Sequence, residues 1–260
     1  NVKNEDGVSY LQAMSPVDCI FLDPARRNEH GGKTVAISDC EPNVAKLEGL
    51  LLSKANRIMI KLSPMLDLSQ ALKELPHTQE VHIISVNNEC KELLLLLGQT
   101  APEEIPVHCV NLSTKGEQEK QLFVFTREQE QHSECSYTDT LGNYLYEPNA
   151  SLLKAGAFRS IAAAYSVKKL HPNSHLYTSD TQIEGFPGRT FRIINRCSLN
   201  KKEIKENLSD LKKANITVRN FPATVAELRK RIKLAEGGDT YLFASTLNDG
   251  QKILIRCGKV

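Results

Sequence analysis

No hydrophobic run in this 260-residue chain can cross a bilayer: the longest, residues 93–97, falls far short of the roughly 20 apolar residues needed. No signal-peptide pattern opens it. It does not begin with methionine, and its first residues read as the end of something longer, so a fragment is expected. The seven cysteines (Cys19, Cys40, Cys90, Cys109, Cys135, Cys197, Cys257) are odd in number and include no CxxC pair, which argues against a disulfide framework or a zinc site. Reduced, buried thiols in a cytosolic protein fit them best, and no metal is expected. "HPNSH" spaces His171 and His175 by four, but Pro172 disfavours helix at His171, so the two rings need not share a face. A GxxxxGK[ST] loop is absent, which removes the P-loop ATPases, and no RRM or KH signature is present.

What is there is an ordinary globular composition, 40% apolar and 25% charged, at a length that suggests two or more domains. The net charge of +2 is unevenly spread. From Pro187 onward 16 Lys/Arg face 7 Asp/Glu, a net of +9, while the preceding residues carry −7. A basic end joined to an acidic body suits a polyanion partner, or is simply a solvated basic surface.

Residues 1–133 alternate strand-like and helix-like stretches. "VDCIFLD" and "RIMIKLSP" are apolar runs ended at Pro24 and Pro64, "EVHIISV" is a third, and "NVAKLEGLLLS" and "DLSQALKELP" have helical spacing. This predicts an α/β, Rossmann-like sheet, mostly parallel and covered on both faces. "VHCVNLS" and "KQLFVFTRE" flank a polar "TKGEQE" turn and predict a terminal antiparallel hairpin. "CKELLLLLG" is open between helix by propensity and core strand by length. The Gln- and Ser-rich "REQEQHSECSYTD" marks a linker. Residues 134–186 form a small helical segment around "SLLKAGAFRSIAAAYSV", whose Leu152, Phe158, Ile161, Ala162 and Tyr165 keep to one packing face.

Residues 187–260 repeat an α/β pattern. "TVAELRKRIKLAEGG" predicts a helix opened by a Thr224/Glu227 capping box and stopped by Gly237-Gly238. On it Val225, Leu228 and Ile232 face inward, with Arg229, Lys230 and Lys233 opposite. "TYLFAST" and "QKILIRC" pair across "LNDG".

"FLDPARR" is the stretch that points to chemistry. In parallel α/β sheets ligands bind beyond the carboxyl ends of the strands, and Asp23 sits at such an end. Pro24 lacks an N–H and fixes the local backbone. A carboxylate there can accept a hydrogen bond from an amine or take its proton, and Arg26 and Arg27 suit a phosphate or carboxylate.

Together "NVKNEDGVSYL", "VDCIFLDPARR" and "RIMIKLSPM" resemble the second half of a class I S-adenosylmethionine-dependent methyltransferase domain. With "YLYEPNASLLKAGAF", "LHPNSHLYTSD", "FPGRTFRI" and "NFPATVAELRKRIKLAEGGDTYLF", the chain is similar to a bacterial methyltransferase group with ferredoxin-like and THUMP-like C-terminal segments. The resemblance implies that Asp6 contacts the adenine of the methyl donor. It also implies that Asp23, Pro24, Ala25 and Arg26 form the catalytic-pocket motif, with Lys61 either an active-site cation or a strand-end charge.

Two departures matter. No glycine-rich strand-to-helix loop is present; Gly31-Gly32 follows the catalytic strand. The donor-binding glycine motif is therefore expected upstream of Asn1, and the fragment alone should bind S-adenosylmethionine poorly or not at all. RNA uracil-C5 methyltransferases place a nucleophilic cysteine where this chain reads "KLSP", and Leu62 cannot form that adduct. An amine or ring nitrogen is then the expected acceptor. The reading is a cytoplasmic RNA methyltransferase acting on tRNA or rRNA, with Arg27, Arg219, Arg229, Lys230 and Lys233 as phosphate contacts. Alternatives are a non-catalytic RNA-binding or interaction protein with a decayed methyltransferase sheet, and methylation of a protein or small molecule.

Overall fold

The computed structural model of the chain describes residues 2–26, 36–114 and 120–260. Two compact units emerge: Asn1–Gln131 with Ala150–Gly156, and His132–Asn149 with Ala157–Val260. No helix among the described residues is long and apolar enough to cross a membrane.

The first unit opens with α1 (Gly7–Ala13) and β1 (Val17–Leu22), followed by the short antiparallel pair β2 (Ala25–Arg26) and β3 (Cys40–Glu41). Asn43 caps α2 (Val44–Lys54), and Asp67 caps α3 (Leu68–Glu74), which follows β4 (Ala55–Leu62). Then come β5 (Thr78–Val86), β6 (Glu89–Leu97), β7 (Pro106–Leu112), β8 (Lys120–Thr126) and α4 (Arg127–His132). The sheet order is β1-β4-β6-β5-β7-β8. β1 runs parallel to β4 and β5 to β7, while β6 and β8 run against their neighbours.

The leucine run settles as strand β6: Leu93, Leu95 and Leu97 are buried while Leu94 and Leu96 are only partly so, a period of two. The preceding turn decides it. Asn87 and Asn88 take φ of 51° and 65°, the left-handed pair of a two-residue hairpin whose twist matches its strands. Asn88 Oδ1 also accepts Ala150 N at 2.8 Å, fixing the start of α5 (Ala150–Ala155), which packs on β5, β6 and β7.

Three expectations change here. The sheet alternates instead of being covered throughout: Val107 and Phe125 are buried, whereas Leu122 and Val124 on the opposite face are exposed. β1, read as buried, leaves Val17 and Phe21 at 41% and 59% exposure and Cys19 exposed; the three alternate along the strand and so share one exposed face. The supposed linker begins as α4, for Thr126 and Gln129 bond reciprocally as a capping box at 3.0 and 3.2 Å. Cys40, Cys109, Cys197 and Cys257 are buried and in no disulfide, and burial pushes the thiols of Cys109, Cys197 and Cys257 up, keeping them neutral.

The second unit contains β9 (Tyr144–Pro148), α6 (Arg159–Tyr165), β10 (Lys168–Lys169), β11 (Tyr177–Ser179) and β12 (Gly188–Cys197). It continues with α7 (Lys201–Leu208), β13 (Asn215–Arg219), α8 (Val225–Ile232), β14 (Thr240–Thr246) and β15 (Lys252–Lys259). One seven-stranded sheet runs β10-β11-β9-β12-β15-β14-β13, with β13 parallel to β14 and the other pairs antiparallel. One apolar cluster gathers Leu145, Phe191, Phe243 and Ile255; another joins Leu208 of α7 and Leu228 of α8 to Leu242 and Leu254. The helical stretch expected after residue 150 breaks at Gly156 (φ 76°) into α5 and α6. The capping box of α8 is present, but the helix stops at Lys233 (φ 63°), ahead of Gly237, since Leu234 turns into the core.

His171 and His175 do different work. His171 Nδ1 accepts from Asn173 N at 3.0 Å. The His175 ring stacks on Phe158 at 3.7 Å, and burial, with the charges of Lys169 and Arg219, pushes its pKa down to about 4.

Two tests follow from these packings. Asn88→Ala should lose about 2 kcal/mol in a urea melt, from the left-handed backbone plus one hydrogen bond, and Asn88→Gly only about 1. Unfolded His175 binds a proton near its ordinary value, about 6.5. The contribution of His175 to the stability of the second unit should therefore be complete above that pH and be lost as pH drops toward 4. In His175→Gln, urea midpoints measured across this window should fall less steeply than in the wild type.

Candidate functional site

β1 and β4 pair in parallel with Leu22 level with Ile60, so both strands deliver their next residues to the same rim of the sheet. Those residues are Asp23 and Lys61. Lys61 Nζ stands 2.5 Å from Asp23 Oδ2, with the side chains 31% and 53% exposed. The hydrogen bond to Asp23 pushes the Lys61 pKa up, aided by the charge of Glu92, so the side chain is an ammonium at neutral pH and not a base. Pro24 is buried. It ends β1 as expected, but the chain re-enters a strand at once, with Ala25 opposite Glu41 and Arg26 opposite Cys40. Arg26 is placed by its backbone only; Arg27, Gly31 and Gly32 lie outside the described residues, as does most of the "TKGEQE" turn.

Asp6 caps α1: its Oδ1 accepts Ser9 N at 2.8 Å, and that hydrogen bond holds its carboxyl below the usual range. It also lines a cavity of about 360 Å³ with Gly7, Val8, Pro42, Asn43 and Lys46. An ionised acceptor beside an apolar wall suits the amine edge of a purine, although part of its hydrogen-bonding capacity serves the cap.

The basic residues divide. Arg219 is committed to Glu147, with Nη2 3.0 Å from Oε1, and Arg189 holds the other oxygen of the same carboxylate. Glu147 is 2% exposed, so both guanidiniums are drawn in to neutralise it. Arg229 folds back as well, donating to Ala214 O at 3.3 Å and pairing with Glu236 at 3.6 Å. Arg219 and Arg229, expected as phosphate contacts, are thus engaged within the protein, Arg219 by the buried Glu147 and Arg229 by Ala214 O and the exposed Glu236. Lys230 and Lys233 are exposed, as expected from the helix face. The sequence reading missed Glu147, whose place is set by register: it lies directly opposite Arg189 in the β9–β12 pair.

Residues 144–187 match the family of ferredoxin-like domains, and residues 188–259 match the THUMP domain-like family. From residue 144 the chain is a ferredoxin-like domain followed by a THUMP-like domain. Lys230 and Lys233 lie in the THUMP-like domain, and the β9–β12 pairing with its Glu147 pairs joins it to the ferredoxin-like domain in one sheet. The crystal structure of a "putative methyltransferase" from Porphyromonas gingivalis W83 is 40% identical to this chain, with a TM-score of 0.85. The match covers 94% of this chain and 60% of that one, so the chain spans about three-fifths of the neighbour's length. No curated protein matches the chain.

If Asp23 raises the Lys61 pKa by direct contact, Asp23→Asn should bring the Lys61 titration back toward the ordinary lysine value. The Lys61 side-chain NMR shift followed through the alkaline range measures this, and an unmoved titration would remove the ion pair.

Proposed function

We propose that the chain is part of a cytoplasmic S-adenosylmethionine-dependent methyltransferase that acts on RNA, of the tRNA or rRNA class, at an amine or ring nitrogen. The observation that carries this reading is the parallel β1–β4 rim bearing Asp23 and Lys61, in a chain 40% identical to a protein described as a "putative methyltransferase". The THUMP-like domain and the basic surplus after Pro187 favour RNA as the partner.

The residues present fit the methyl donor in part. Asp6, Val8 and Pro42 offer an acceptor and apolar wall to the adenine end, while no glycine-rich loop in this chain accompanies them. The donor, when bound, supplies an electrophilic methyl group. The chain's own residues would orient the acceptor: Asp23 takes a hydrogen bond from the amine and receives its proton, and Lys61 holds the carboxylate in place through Oδ2. Lys230 and Lys233 would contact phosphates, with Arg26 and Arg27 candidates for the same role near the rim.

The test is methyl transfer from S-adenosylmethionine to cellular RNA by the full-length protein. Asp23→Ala should lower transfer at least about 100-fold with the circular dichroism unchanged. Replacing Lys230 and Lys233 by alanine should weaken RNA binding and reduce its salt slope by about 1 per residue. Undiminished transfer by Asp23→Ala would remove the catalytic assignment. RNA binding without any transfer would favour a decayed enzyme that serves as a binding protein.

A further inference from the structure

On one face of the first unit's sheet, Glu80 and His82 stand two residues apart on β5, and His108 lies directly opposite His82 on β7. Neighbours at i,i+2 on a strand and across a parallel pair share a face, so three donor side chains converge without any loop to position them. The His82 and His108 rings are stacked, with centroids 4.3 Å apart and planes 6° from parallel. Both turn Nε2 toward the same carboxylate oxygen: Glu80 Oε2 is 3.1 Å from His82 Nε2 and 3.9 Å from His108 Nε2. All three donor atoms lie within 4.8 Å of one another.

We infer that Glu80, His82 and His108 form a binding site for a divalent first-row transition metal of the zinc class. Two imidazoles and one carboxylate are the donor set such ions take, and they leave a coordination position for water. Ligands about 2.0–2.1 Å from a tetrahedral zinc lie roughly 3.3 Å from one another, and the observed contacts of 3.1 and 3.9 Å bracket that spacing. The two rings must open from their stack to aim both lone pairs at one ion. Side chains 27% and 25% exposed on a sheet face have room to do so, and Glu80, at 45%, is open to an ion from solvent. The motif escaped the sequence reading because E-x-H in "QEVHIISV" and the lone histidine of "VHCVNL" lie 26 residues apart and meet only through the β5–β7 register. This site is independent of the methyl-transfer reading: β4 and β6 separate β5 from β1 in the sheet.

The experiment is titration of the whole chain with Zn²⁺ and Co²⁺ against a chromophoric chelator, with the visible spectrum of the cobalt form recorded. One ion per chain is expected, with nitrogen and oxygen ligation in the cobalt spectrum. Affinity should fall at least tenfold in His82→Gln and in His108→Gln, and less in Glu80→Gln. In case a variant folds poorly, the wild-type ring protons of His82 and His108 provide a second reading: they should shift or broaden on Zn²⁺ addition before those of the other histidines. Intense cobalt–thiolate bands, affinities unchanged in the variants, or unmoved His82 and His108 resonances would each overturn the assignment.

Discussion

Parallel strands end on the same side of a sheet, and the pairing of Leu22 with Ile60 is what brings Asp23 and Lys61 to one edge. An antiparallel pair would have sent the two residues to opposite rims. The ion pair between them is mostly solvated, so it adds little to stability. Its consequence is geometric. A carboxylate at the end of a strand would otherwise sample several rotamers, and a cation anchored one strand away narrows them. The buried Pro24 that follows it restrains the backbone at the same point.

In the second unit part of the positive charge is engaged within the fold. Its net charge favours a polyanion partner, yet Arg189 and Arg219 turn toward a carboxylate 2% exposed, and Arg229 toward a carbonyl and Glu236. A carboxylate as buried as that of Glu147 is tolerable only with such partners. The pairing also ties β13 and β12 to β9, linking the THUMP-like domain to the ferredoxin-like one beyond their backbone ladder. Cations left on the surface, such as Lys230 and Lys233, are therefore the better markers of a phosphate-binding face than the raw count.

Much of the fold was legible because local chemistry agreed with it: the Thr224/Glu227 box, the "LNDG" turn and the apolar runs of β4 and β5 all appear where their residues predict. The misreadings have physical causes. Residues 93–97 are ambiguous alone, and the deciding information lay in the two asparagines before them, which accept left-handed backbone where most residues resist it. β1 reads as buried because its residues are apolar, but burial depends on what packs over each face of the sheet, which the sequence of β1 does not encode. The rim was legible as a motif at Asp23; that Lys61 would face it depended on register. Glu147, Glu80, His82 and His108 were missed for the same reason, each being meaningful only beside a residue on another strand.

Leu62 narrows the chemistry under the proposed reading. It follows Lys61 at the end of β4 and is 3% exposed, so the place where a covalent nucleophile would stand is filled by core. The acceptor must then supply its own lone pair, and a nitrogen that gains a methyl group must shed a proton to become neutral again. A carboxylate with about half its surface in water can accept that proton and pass it to solvent, which a buried one does poorly. Lys61 sets a limit on the arrangement: its ammonium occupies Oδ2 of the carboxylate, so the acceptor is met by the other oxygen. Asp23 would on this account contribute chiefly by aligning the acceptor, as expected where positioning supplies most of the rate.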